Sequence, residues 1–194
     1  SQLHGLHEVL PLKRVQVCSR TADRREAFCA RLSEELGIPV TPALSPADAL
    51  RDAQVVTTIT TSPVPVFASE ELEPWPLHIN AMGAHYPWVR ELDTRTVTSS
   101  KIVLDLMEQG LDEKGEVRIL IEQGELQESD IAGDLGSVVA GKVAGRTDDR
   151  PWTMFLSGGT GIEDVAVGAR LYQRALAKGV GSQVELDEPY EFEF

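Results

Sequence analysis

The chain of 194 residues is 42% hydrophobic and 25% charged, with a formal net charge of −13. Such a length suits one domain, or one and a fraction, with ample material for a core. The acidic balance excludes nucleic acid and anionic membrane as attracted partners. Cys18 and Cys29 form neither a disulfide framework nor a metal spacing, no apolar run reaches about 18 residues and no signal peptide opens the chain, so a reducing cytoplasm is the expected location.

In chain order, the pattern predicts a helix over residues 1–12, with Leu3, Leu6, Val9 and Leu10 on one face and Pro11 near its end. His4 and His7 on that helix lack further ligands, and no metal site is expected. A β-branched strand over 15–18 runs out into Ser19-Arg20-Thr21. A helix over 23–36 follows, with Phe28, Leu32 and Leu36 inward, and Gly37 stops it. At the end of such a strand a dinucleotide fold meets the adenosine ribose: a carboxylate accepts hydrogen bonds from a free 2′-hydroxyl, whereas an Arg accommodates a 2′-phosphate. Arg20, flanked by two hydroxyls, with Arg24 and Arg25 just beyond and no acid before Asp23, reads as NADP(H) in preference to NAD(H). The plain alternative is a strand-to-helix turn with solvated arginines.

A short strand is expected over 38–41, and Ser45-Pro46-Ala47-Asp48 opens a short helix reaching Asp52. Residues 54–60 read as a buried strand, 61–65 as a loop, 78–82 as a strand closed by Gly83, and 101–106 as another strand continuing towards Met107 and Glu108. Thr58, Thr60 and Ser62 lead into the loop at a strand's C-terminal end, where open α/β sheets bind ligands and hydroxyls suit phosphate and ribose oxygens. Ordinary β-branched strand chemistry is the alternative. Ala81, Met82 and Gly83 close the next strand, and the small Gly83 and Ala84 let a nicotinamide ring lie against backbone; a strand followed by a turn glycine is the alternative.

Beyond residue 106 the pattern changes. A helix is expected to start at Ser129 within 125–141, followed by a Gly-rich basic run to Arg146, a solvated loop to residue 150 and a strand over 151–156. Ser157-Gly158-Gly159-Thr160-Gly161 then turns into a final helix, with Ile162, Val165, Ala169, Tyr172 and Leu176 on one face and Lys178-Gly179 at its end. The acidic segment 182–194 reads as a solvated tail. Strands separated by helices at this rhythm indicate an α/β fold with a parallel sheet and right-handed crossovers. A doubly wound nucleotide fold begins with a strand, a Gly-rich turn and a helix holding the pyrophosphate. Because the chain opens in what reads as that helix, the strand and the glycines are expected to precede Ser1.

Four blocks, in order, resemble those of the ornithine cyclodeaminase/mu-crystallin family: Val15–Thr21, Asp52–Pro63, Ile79–Ala84 with Arg90-Glu91-Leu92-Asp93, and Phe155–Asp164. The resemblance runs from the first residue to about Gly181. It implies a Rossmann-like NAD(P)-binding domain over 1–156, a helical segment over 157–181 packing on a dimerisation domain, and a homodimer when full length. It further implies cofactor contacts from Gln2, at the end of the glycine turn, from Ser19, Arg20, Thr21, Thr58, Thr60, Ser62, Ala81, Met82 and Gly83, and from Ser157 and Gly159 near the nicotinamide carboxamide.

The implied chemistry passes hydride between a nicotinamide and the α-carbon of a small imino or amino acid, as in ketimine or pyrroline-carboxylate reductases and alanine dehydrogenases. Cyclodeaminases of the family place an Asp after the Gly-Ala pair, where this chain has His85. That exchange points away from ornithine cyclisation and towards imine reduction, with His85 as the candidate proton carrier. Two alternatives stand beside it: a cyclodeaminase with His85 in the Asp's place, and a non-catalytic, crystallin-like NADPH-binding protein. The substrate-carboxylate ligands are implied in an N-terminal half with no counterpart here, so these 194 residues alone are expected not to turn over substrate.

Overall fold

The computed structural model of the chain describes residues 2–72, 76–146, 152–182 and 184. The expectations for Ser1, for 147–151 and for the tail from 185 lie outside the described residues. The chain divides into two units, Ser1–Gly158 and Gly159–Phe194.

The first unit opens with helix α1 (Gln2–Val9), strand β1 (Val15–Val17), helix α2 (Ala22–Leu36) and strand β2 (Val40–Pro42). Gly37, at φ 67°, ends α2 in the left-handed conformation that a glycine adopts without strain. Cys29, Leu32 and Val40 form a small core with Leu3, Val15, Val17, Leu36 and Ile38. Phe28, expected inward, lies 37% exposed instead, with the Arg31 guanidinium 5.8 Å from its ring centre. Cys29, one residue on, turns towards β2 and takes the core position. Val9 is likewise at the surface.

Helix α3 (Pro46–Leu50) starts at Ser45, whose hydroxyl accepts from the Asp48 N–H at 3.1 Å. Strands β3 (Val55–Thr58), β4 (Leu77–Ala81) and β5 (Ser100–Leu104) follow, with helix α4 (Thr94–Thr98) between the last two. Helices α5 (Met107–Glu113) and α6 (Gly115–Glu122) come next, then strand β6 (Ile131–Asp134), helix α7 (Leu135–Val139) and strand β7 (Trp152–Leu156). Of the helix expected from Ser129, Glu128–Asp130 is a single 3-10 turn and Ile131–Asp134 a strand, and α7 alone is α-helical. β6 pairs with β5 across a one-residue irregularity, with Gly133 at φ 146°, and so carries no clean alternation to read.

β1 and β2 pair in parallel as one ribbon; the other five strands form a parallel sheet in the order β3-β4-β7-β5-β6. This is the α/β Rossmann-type architecture, with helices flanking parallel strands. One face of the larger sheet carries Val56, Ile79, Ile102, Leu104, Met154 and Leu156, buried in the main core with Leu92, Val97, Val117 and Leu120 from the α4–α6 side. Each of β1 and β3 has one partner among the described strands, leaving an unpaired edge. A cavity of about 2200 Å³ is lined by residues 13–21 on the β1 side and 53–63 on the β3 side.

The second unit is helix α8 (Gly161–Lys178), capped by the Thr160 hydroxyl on the Glu163 N–H and ended by Gly179 at φ 62°. The face expected to pack, Ile162, Val165, Tyr172 and Leu176, is more than 60% exposed at every position.

Candidate functional site

Parallel register brings four strand ends into line. Thr58 stands opposite Ala81, Ala81 opposite Leu156, and Leu156 opposite Leu104. The ladder continues one step further through the Met82 N–H to the Thr58 carbonyl at 2.8 Å and the Ser157 N–H to the Ala81 carbonyl at 3.2 Å. The carboxyl ends of such strands are where open α/β sheets take ligands.

Seven of the twelve expected cofactor contacts line a large cavity: Gln2, Ser19, Arg20, Thr21, Thr58, Thr60 and Ser62. Arg20 is exposed at the end of β1, while the Arg25 guanidinium donates to the Ser19 carbonyl at 2.7 Å and fixes that turn. Thr58 is buried and its hydroxyl oxygen has no hydrogen-bond partner among the described residues. Thr60 and Ser62 spend their hydroxyls locally: Thr60 accepts from the Ser62 N–H at 3.0 Å, and the Ser62 hydroxyl donates to the Val64 carbonyl at 2.7 Å.

Ala81, Met82, Gly83 and Ser157 sit at the neighbouring strand ends, outside that cavity lining. Gly159 belongs to the second unit, at φ 81°. His85 is exposed on the loop after Gly83 and Ala84, next to a stacked pair of exposed rings, Tyr86 and Trp88, 5.0 Å apart. The expectation that Gly83 is small to admit a ring meets a different local fact. A Cβ there would stand 2.3–2.5 Å from the Glu91 carboxylate, so a side chain of the protein itself fills that side of the glycine.

Under these loops lie four buried charged residues that the sequence reading did not single out as site residues: Glu91, Asp105, Lys114 and Glu116. Glu91 accepts from the Thr60 N–H at 2.6 Å and from the Gly83 N–H at 3.0 Å. Glu116 accepts from the Glu91 N–H at 2.9 Å through Oε1, while its Oε2 has no partner among the described residues. Burial pushes the Glu116 carboxyl up to about 6, and the nearby Glu91 charge adds to the rise against the Glu91 N–H bond. The Lys114 ammonium donates to the Ala84 carbonyl at 3.0 Å; burial pulls it below the ordinary lysine range against the attraction of Asp105, Glu116, Glu113 and Glu91. Asp105 accepts from the Gly158 N–H at 2.8 Å. The available signal was Arg90-Glu91-Leu92-Asp93, in which a fully buried acid sits beside a fully buried Leu92.

Burial also lowers the His78 imidazole's affinity for a proton; its ring lies against Thr153 at 2.8 Å and Asn80 at 3.2 Å, away from the strand ends. Among the described residues no group of three His, Cys, Asp or Glu could hold a metal ion, and no helix is long and apolar enough to cross a membrane.

Comparison with known proteins gives the family. The profile of the ornithine cyclodeaminase/mu-crystallin family matches residues 1–179. A Δ1-pyrroline-2-carboxylate reductase of Bacillus cereus is 33% identical over 182 residues, which cover 93% of this chain and 55% of the relative. An alanine dehydrogenase of Archaeoglobus fulgidus is 34% identical over 187 residues, covering 95% of this chain and 56% of the relative. The structure of Thermococcus litoralis Δ1-pyrroline-2-carboxylate reductase in complex with NADH and L-proline superposes with a TM-score of 0.89 at 32% identity, over 94% of this chain and 56% of that one. The chain thus spans about half the length of the curated relatives it matches. It belongs to the ornithine cyclodeaminase/mu-crystallin family.

Proposed function

We propose, with membership of that family as the premise, that this chain carries the dinucleotide site of an NADP(H)-dependent oxidoreductase acting on a small imino or α-amino acid. The observation that carries the reading is that Arg20 in the turn after β1, the buried Thr58 hydroxyl, partnerless among the described residues, and the loop after β3 line one cavity. An orphaned hydroxyl at a strand's carboxyl end fits a ribose or phosphate oxygen, because a buried donor left unmade costs about 1–3 kcal/mol. The named activities of the relatives, pyrroline-2-carboxylate reduction and alanine dehydrogenation, support the substrate class.

When bound, the nicotinamide exchanges a hydride with the substrate α-carbon. In this chain Arg20, with the Ser19 and Thr21 hydroxyls, would hold the 2′-phosphate. Thr58 would hold the sugar-phosphate, and the ends of β4 and β7 would offer backbone to the ring. His85 holds the proton that the imine nitrogen gains on reduction. The bare apolar face of α8 supports a homodimer of the full-length polypeptide. The free thiols of Cys18 and Cys29 suit a reducing cytoplasm.

The test is titration of the full-length polypeptide with NADPH and NADH, followed by turnover assays with Δ1-pyrroline-2-carboxylate, Δ1-piperideine-2-carboxylate, and pyruvate plus ammonia. Tighter NADPH binding and NADPH oxidation with one of these are expected; turnover of none would sink the reading. Ammonia release from ornithine without net change in the nucleotide would make the protein a cyclodeaminase instead. Saturable NADPH binding with no turnover at all would make it a binding protein.

A further inference from the structure

We propose that Glu91 is a positioning residue: its buried carboxylate sets the spacing of the loops after β3 and β4, and through them the placement of the nicotinamide end of the dinucleotide. The inference rests on the reading of those strand ends as the dinucleotide site. Regular β3–β4 bonding ends where the Met82 N–H reaches the Thr58 carbonyl. Two residues further along β3 and one along β4, the Glu91 carboxylate takes over, with Oε1 accepting from Thr60 and Oε2 from Gly83. One rigid, planar group thus bridges two amides from different loops, each through its own oxygen.

The bridge is itself immobilised. The Glu91 N–H is held by Glu116, and the Glu91 carbonyl accepts from the Val66 N–H at 2.8 Å. Glu91 and Glu116 are both 0% exposed, so neither carboxylate is free to reach a ligand in the cleft. Gly83 is required at its place because any Cβ would overlap the carboxylate. The next residue is tied down the same way, its carbonyl accepting from Lys114, whose ammonium also fills the space a Cβ on Gly158 would need, at 2.7 Å. The two oxygens are divided between two loops at the carboxyl ends of the strands, where open α/β sheets take ligands.

Glu91→Gln separates the two roles, since a carboxamide accepts through one atom only and turns an N–H₂ group towards the other amide. In the full-length polypeptide, NADPH and 2′-phospho-ADP-ribose are titrated against wild type and variant. The fragment shares the adenosine end and lacks the ring. The variant is expected to weaken NADPH binding about 10-fold or more while changing the fragment less than about 2-fold, the size of one lost charge-assisted hydrogen bond. Equal weakening of both ligands, or no change in either, overturns the positioning role.

Amide hydrogen exchange on the wild type reads the clamp without any variant. The Thr60 and Gly83 amides are expected to exchange at least about 100-fold more slowly than that of the exposed Thr61. Exchange as fast as Thr61 overturns the clamp alone. Slow exchange combined with no binding of either ligand by the wild type overturns the cofactor reading, and the positioning role with it.

Discussion

Gly83 has no room for a side chain, because the space is taken by the Glu91 carboxylate that binds its own N–H. Gly83→Ala must push that carboxylate off at least one of its two amides, combining overpacking with a disturbed buried charge. A loss of about 2–4 kcal/mol is expected in chemical denaturation. Glu116 makes a second prediction. Its carboxyl titrates at about 6 in the folded chain against 4.5 ordinarily, so the folded state holds the proton more tightly than the unfolded one. Below pH 4.5 both states are protonated and no penalty exists; as pH rises to about 6 the unfolded state ionises first, and about 2 kcal/mol of stability is lost. Glu116→Gln keeps the acceptor for the Glu91 N–H and removes the titration. Its stability relative to wild type should therefore rise by about 2 kcal/mol between pH 4.5 and 7, and a difference flat across that range would refute the account. At the opposite end of the site, Arg20→Asp is expected to weaken NADPH about 10–100-fold and NADH little, read by fluorescence titration. The position of Arg20 just after a strand was legible because a β-branched run ending in a polar turn is a local pattern. Glu91 and Lys114 were not, because nothing local in a sequence distinguishes a solvated charge from one whose partners are backbone amides of distant loops.

At the scale of elements, patterns that depend on one face came through and those that depend on close approach did not. The cap at Ser45, with Pro46 behind it, is visible as letters and present as geometry; Ser45→Ala should cost about 1 kcal/mol. α5 and α6 escaped, and each carries a glycine, Gly110 in α5 and Gly115 in α6. In the fold both are needed for contact: a Cβ on Gly110 would lie 2.8 Å from Leu104, and one on Gly115 would run into the Val89 carbonyl. β6 escaped because Ile131-Ala132-Gly133-Asp134 pairs through a register shift and shows no period of two. α8 is the reverse case. Its apolar period was plain, yet Leu171, Tyr172 and Leu176 stand 61–66% exposed. Exposed apolar rows of this length mark interfaces. Changing Tyr172 and Leu176 to Ser is expected to shift the full-length polypeptide from dimer to monomer in sedimentation velocity, without loss of the α/β circular dichroism signal.

At the scale of the first unit, the described parallel strands form a two-stranded ribbon and a five-stranded sheet, with β1 and β3 at edges. Parallel strands are normally paired on both sides and covered on both faces, because unpaired N–H and C=O groups template further pairing. Among the described strands, β1 and β3 each keep one unpaired edge, and residues of both line a large cavity. The β3 edge is short, β-branched and uncharged: Val55-Val56-Thr57-Thr58. Nothing in that segment resists pairing with a second chain, and strand addition would bury two more half-exposed residues, Val55 and Thr57. A polypeptide of these 194 residues is therefore expected to self-associate at micromolar concentrations and to bind a hydrophobic dye. Val55→Lys with Thr57→Lys should suppress the association, since charge on an edge strand opposes pairing, at a stability cost of about 1 kcal/mol or less for each substitution. Light scattering across a dilution series decides the matter. If the unmodified polypeptide stays monomeric throughout, or if the double-lysine variant associates just as strongly, the β3 edge is not an open pairing surface.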